Sequence, residues 1–101
     1  MLESKIQHKI IKYLKKLGGI AVKVDASRPG WPDLTVVMPD GLVLFLEVKQ
    51  PAGRLSAGQK RIHAELKRNH AHVYTVRSVD EVATILQRFN PQTTGGGDSP
   101  L

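Results

Sequence analysis

The chain contains no cysteine. Disulfides, thiolate metal sites and cysteine nucleophiles are therefore excluded, and the composition suits a reducing compartment. Long apolar runs are missing too. None approaches the ~18 residues that a membrane span needs, so no membrane partner is expected. The N-terminal stretch MLESKIQHK carries no apolar h-region of the kind that directs export, which leads to the expectation of a cytoplasmic protein. Acidic residues are in short supply: 9 Asp and Glu face 15 Lys and Arg, a formal net charge of +6. Such a balance favours a polyanionic partner, and nucleic acid is the usual one. At 101 residues the chain suits one domain with one core.

What is present reads as alternating helices and strands. Residues 2–17 show helical periodicity, with Ile6, Ile10, Leu14 and Leu17 on one face at about 100° per residue. Gly18-Gly19 supplies the stop. IAVKVD (20–25) is a short β-branched strand, and ASRPGWP that follows is a loop. LTVVM (34–38) and LVLFLEVK (42–49) are strands joined by the turn Pro39-Asp40-Gly41. Residues 56–69 form a second helix, with Ser56 and Gln59 at capping-box spacing. AHVYTV (71–76) is a fourth strand. Ser78 and Glu81 show the same spacing at the start of a third helix, which Asn90-Pro91 ends. Residues 1–90 thus form the domain, and 91–101 (PQTTGGGDSPL) read as a disordered tail. The expected fold class is α/β. A small mixed sheet is flanked by helices, with the 42–49 strand central and joined to 71–76 by a parallel crossover.

Three charged residues interrupt this apolar pattern. Side chains alternate along a strand, so Glu47 and Lys49 share a face. Asp33 begins the neighbouring antiparallel strand, and the tight turn brings 33 and 47 to the same sheet end. An unpaired buried charge is costly; a divalent cation would offset both carboxylates. Mg²⁺ suits such a place, because it binds through one or two carboxylates and keeps several waters. Mn²⁺ accepts the same ligands. Lys49 could hold the attacking water or neutralise charge on phosphorus. Each residue also has a structural reading: Asp33 as a turn cap, Glu47 and Lys49 as an ordinary ion pair.

Glu3 falls on the apolar face of the first helix and Gln59 among the apolar positions of the second. Glu3 could equally be a favourable charge at a helix N-terminus, and Gln59 a capping residue. The stripe Lys5, Lys9, Lys12 and Lys16 lies opposite Glu3 and reads as a solvated face. Arg28, Arg54, Lys60 and Lys67 are the better DNA-contact candidates. The histidines show no metal-ligand spacing, and His63 reads as packing or substrate contact. Trp31 is a DNA wedge, an interface anchor, or a lid folded over its own core.

Glu3, then Gly30-Trp31-Pro32-Asp33, then Glu47-Val48-Lys49, then Gln59 in RLSAGQ together resemble the VRR-NUC family of the PD-(D/E)XK nuclease superfamily. The resemblance covers about residues 2–89. It implies an αβββαβ restriction-endonuclease-like core and metal-dependent hydrolysis of DNA phosphodiesters. Asp33 and Glu47 would be metal ligands, with the Val48 carbonyl joining them. Lys49 would be catalytic, with Glu3 and Gln59 completing the catalytic set. Small stand-alone relatives resemble virus-type enzymes that act as homodimers on branched DNA, so the resemblance implies a four-way (Holliday) junction resolvase using Mg²⁺ or Mn²⁺, with a virus-encoded protein acting in a bacterial host as one setting. Two alternatives stand beside it: a nicking or restriction-like nuclease on plain duplex, and a non-catalytic nucleic-acid-binding module of the same fold.

Overall fold

The computed structural model describes residues 2–25 and 27–90. The expected disordered tail, 91–101, lies outside the described residues. Three helices and four strands follow one another as α1 (Glu3–Lys16), β1 (Ile20–Lys23), β2 (Leu34–Val37), β3 (Val43–Val48), α2 (Ala57–Arg68), β4 (Val73–Val76) and α3 (Val79–Phe89). The expected α/β architecture, a mixed sheet flanked by helices, is what forms.

Local chemistry sets the element ends. α1 closes where Gly18 turns to φ +86°; the Gly18 and Gly19 amides then donate to Lys15 and Leu14 carbonyls, each at 2.9 Å, the paired bonds of a Schellman motif. α2 ends in the same pattern, with Ala71 N–H on the Leu66 carbonyl at 3.0 Å and His70 N–H on Lys67 at 2.9 Å. There His70, at φ +65°, occupies the left-handed position that glycine fills after α1. At the start of α2, Ser56 Oγ accepts from Gln59 N–H, and Gln59 Oε1 accepts from Ser56 N–H. The expected second capping box is only half made. Ser78 Oγ accepts from Glu81 N–H, but the Glu81 carboxylate takes the Arg77 amide, one residue earlier. Ser78 is nearly fully extended, φ −161°, where Ser56 has φ −72°; that rotation carries the Ser78 N–H away from the helix.

The strands lie in the order β1-β2-β3-β4. β1–β2 and β2–β3 are antiparallel and β3–β4 is parallel, as a crossover through α2 requires. Strand alternation then divides the sheet. Leu44, Leu46 and Val48 of β3, with Leu34, Val36 and Val76, meet Ile6, Ile10 and Leu14 of α1 and Val82 and Ile85 of α3 in one buried cluster. The other face of β3 carries Phe45 and Glu47 towards α2. On that face Trp31 lies edge-on to Phe45, with ring centroids 6.0 Å apart, so it folds over its own domain. Arg28 stacks outside it, 5.9 Å from the indole centroid.

The loop before β2 is held by close approach. Gly30 has φ +84°, and a Cβ there would stand 2.9 Å from both the Gly58 carbonyl oxygen and Ile62 Cγ1 of α2. Gly41, in the β2–β3 turn, has φ +90° but open space around it. Gly41→Ala should therefore show only the left-handed penalty, about 1 kcal/mol. Gly30→Ala adds steric conflict with α2 backbone and should lose more, about 2–3 kcal/mol. Urea unfolding of the two variants checks the order; equal losses would contradict the packing of this loop on α2.

Candidate active site

β3 ends in a polar cluster. The β2–β3 ladder pairs Leu34 with Leu46, which sets Asp33 opposite Glu47 one step further on. The next β3 amide facing β2 belongs to Val48, and Asp33 Oδ2 accepts it at 2.8 Å. Buried Pro32 precedes Asp33 and has no amide to offer the ladder. The carboxylate thus adds one bond at the end of the β2–β3 ladder and is pinned beside Glu47.

Glu47 is 1% exposed, and its two oxygens have different surroundings. Oε2 accepts from Gln59 Nε2 at 3.1 Å and lies 3.8 Å from Lys49 Nζ, a long ion pair. Oε1 faces His63 Nε2 at 3.5 Å, and neither of those two buried atoms has a hydrogen-bond partner. The Gln59 amide has one sensible orientation. Its Oε1 is occupied by the Ser56 amide, so its NH₂ must be the end that meets Glu47.

The electrostatics follow from this packing. Burial first, then the Asp33 charge, push the Glu47 carboxyl up to about 8; Lys49 opposes the rise and Glu3 adds to it. Glu3, at the start of α1, therefore contributes negative charge at this end of the sheet. Burial and the Lys67 charge hold His63 below the ordinary histidine range, with Lys49 adding and Asp33 opposing. At neutral pH the cluster binds a proton that an exposed glutamate would have released.

The expected residues thus fall in one place for Asp33, Glu47, Lys49 and Gln59, with Glu3 felt electrostatically and without a hydrogen bond to Glu47. Lys67 lies two turns beyond Gln59 on the same stripe of α2, with His63 between them. Arg28, Arg54 and Lys60 are exposed; Arg28 lies over Trp31, and Arg54 sits on the β3–α2 loop, which Arg77 ties down through a 2.8 Å bond to the Gly53 carbonyl. His63 is the member that sequence reasoning left undecided. Its signal was the spacing of four from Gln59, which stacks the two side chains on one helix face.

Among the described residues no three His, Asp or Glu side chains gather tightly enough to enclose a metal alone. The oxygen atoms that could hold a cation here are the Asp33 and Glu47 carboxylates and the Val48 carbonyl. Val48 N–H points at Asp33, and in an extended strand the carbonyl of the same residue leaves on the same edge. An apolar hollow of ≈ 390 Å³ lies between α1, the β2–β3 turn and α3, lined by residues such as Tyr13, Leu17, Leu42 and Leu86. It sits at the other end of β3, and Asp40 is the one carboxylate in its lining, so it lacks the chemistry.

The raised Glu47 value has a measurable consequence. Between about 4.5 and about 8 the folded chain keeps a proton that the unfolded chain gives up, so this group's contribution to stability is lost as pH rises through that window. Without divalent cations, Glu47→Gln should gain on the wild type steadily from about pH 5 to about pH 9. Melting curves in EDTA check this; a constant difference across the range would contradict the assignment.

The comparisons with known proteins agree with the α/β fold. The family model of the VRR-NUC domain matches residues 1–80. A protein of Acyrthosiphon pisum secondary endosymbiont phage 1, named "Putative nuclease p44", is 35% identical over 89 residues, covering 87% of this chain and 95% of its own. A solved structure described as "VRR_NUC domain" superposes with a TM-score of 0.76 at 29% identity, over 86% of this chain and 96% of that one. A second, "VRR_NUC domain protein", reaches 0.70 at 14% identity over 90% and 89%, a likeness of fold. On the family match and the phage relative together, the chain belongs to the VRR-NUC family of nuclease domains.

Proposed function

We propose that this chain is a Mg²⁺- or Mn²⁺-dependent endonuclease that cuts branched DNA, four-way junctions foremost, as a homodimer. The observation that carries the metal reading is Glu47, a buried carboxylate beside Asp33 with one oxygen unpartnered. Two carboxylates and the Val48 carbonyl are hard oxygen donors of the kind Mg²⁺ takes, with waters completing the shell. When bound, the cation would neutralise charge on the scissile phosphate and lower the pKa of a coordinated water.

The chain's own residues do the rest. Asp33 is held in place by the Val48 amide, which keeps its charge beside Glu47. Gln59 orients the Glu47 carboxylate from α2. Lys49, its side chain 12% exposed, places a cation at the mouth of the cluster, where it can position the attacking water or stabilise the charge that builds on phosphate. Glu3 supports the cation site electrostatically. Arg28, Arg54, Lys60 and Lys67 supply phosphate contacts, and the +6 net charge favours the approach of DNA.

The junction preference and the dimer rest on symmetry. One domain of this size carries one site, and a four-way junction is resolved by two cuts related by a two-fold axis, which a two-fold dimer supplies. Trp31 packs on Phe45 of its own chain, so it is not the anchor between subunits in this reading. Among the described residues no helix is long and apolar enough to cross a membrane. With a relative encoded by a phage, action in the cytoplasm of a bacterial host is the setting we infer.

Labelled junction, flap and plain duplex, each with Mg²⁺, Mn²⁺ or EDTA, test the reading. Junction cleavage should depend on metal and exceed duplex cleavage; faster nicking of duplex would replace the resolvase reading. Asp33→Asn and Glu47→Gln should abolish cleavage while the fold persists. Lys49→Ala should reduce kcat by about 10²-fold or more with DNA binding kept; a loss confined to affinity would make Lys49 a phosphate anchor. Sedimentation at micromolar protein should show twice the 11.1 kDa chain mass, and a monomer that makes both cuts in one encounter would overturn the dimer.

A further inference from the structure

We propose that His63 is a positioning residue for Glu47, donating Nε2–H to Oε1 and so fixing the carboxylate in its cation-binding orientation. The inference rests on the cation reading given above and extends it to a residue outside the catalytic set. Its basis is a pair of atoms. Glu47 Oε1 and His63 Nε2 are both buried, both unpartnered and 3.5 Å apart, a few tenths of an ångström beyond an ordinary N–H···O bond. Buried polar groups without partners are costly, and the bond that satisfies both is the one between them.

The bond would complete a clamp. Gln59 and His63 are one turn apart on α2, and each faces a different oxygen of the same carboxylate. Gln59 is fixed at its other end by Ser56. The ring of His63 is held by burial, being 5% exposed. Two donors from one rigid helix would set the carboxylate plane, leaving the lone pairs on the Asp33 side free for a cation. Groups that orient a ligand in this way typically matter about 10- to 100-fold in metal affinity. Histidine also fits better here than a leucine of similar bulk, which would leave Oε1 buried with no donor.

Replacing the donor by position tests the proposal. A glutamine amide can place its NH₂ where Nε2 stands, whereas asparagine stops near Nδ1 and leucine offers nothing. Free Mn²⁺ is followed by its paramagnetic resonance signal during titration of wild type, His63→Gln, His63→Asn and His63→Leu, each also melted in EDTA. Wild type and His63→Gln should bind within about threefold of each other, and His63→Asn and His63→Leu roughly tenfold or more weakly. If His63→Leu does not melt cooperatively, the Gln–Asn pair carries the comparison, since both are amides of similar polarity. Equal affinity in all folded variants would overturn the proposal and leave the cation site standing. A loss in His63→Gln as large as in His63→Asn would overturn it too, by assigning the effect to ring packing. Absence of Mn²⁺ binding in the wild type would overturn the cation site itself.

Discussion

Glu47 and Asp33 are two acids confined at the buried end of a sheet, and most of the surrounding structure exists around that confinement. A carboxylate 1% exposed beside a second carboxylate is an arrangement that folding alone does not favour. Isolated buried charge is costly, and like charge adds to the cost. The domain tolerates it through a proton at Glu47, a β3 amide on Asp33 and an amide from α2. Each of those depends on a further local device. The α2 capping box aims Gln59, the β2–β3 register sets Asp33 against the Val48 amide, and Gly30 lets the preceding loop lie against α2.

The two faces of the sheet accordingly do different work. One is a closed hydrocarbon core of Leu, Ile and Val from β2, β3, β4, α1 and α3. That core is rigid because such interiors are close-packed, and it fixes the strand register to which Asp33 and Glu47 are attached. The other face gathers polar groups between β3 and α2, where a one-residue slip of register would send Glu47 into the hydrocarbon side. Stability is thus supplied by one face and drawn on at the other, where charge is buried.

Much of this was legible in the sequence because the signals are local. Gly18-Gly19 marks the end of α1, Pro39-Asp40-Gly41 the hairpin turn, and Ser56 with Gln59 the start of α2; all three depend on neighbouring residues alone. The meeting of Asp33 with Glu47 followed from strand alternation and a tight turn, again short-range rules. What was not legible depends on tertiary distance. Whether Trp31 faces Phe45, solvent or a partner cannot be read from a loop, because a ring edge-on to another ring is set by packing. His63 is similar, since its spacing from Gln59 gives the helix face but not the carboxylate oxygen opposite. The left-handed turn at His70 had no glycine to announce it. The half-made cap at Ser78 turned on a backbone dihedral that Ser-x-x-Glu does not specify.

The proposed function requires that a divalent cation displace the proton held at Glu47. Isothermal titration of the protein with Mn²⁺ near neutral pH, repeated in buffers of different ionisation enthalpy, measures that exchange directly. With the Glu47 carboxyl raised to about 8, binding should release close to one proton per cation, roughly the stoichiometry of one displaced carboxyl proton, and Glu47→Gln should release none. Tight binding with no proton release, or proton release unchanged in Glu47→Gln, would contradict the account.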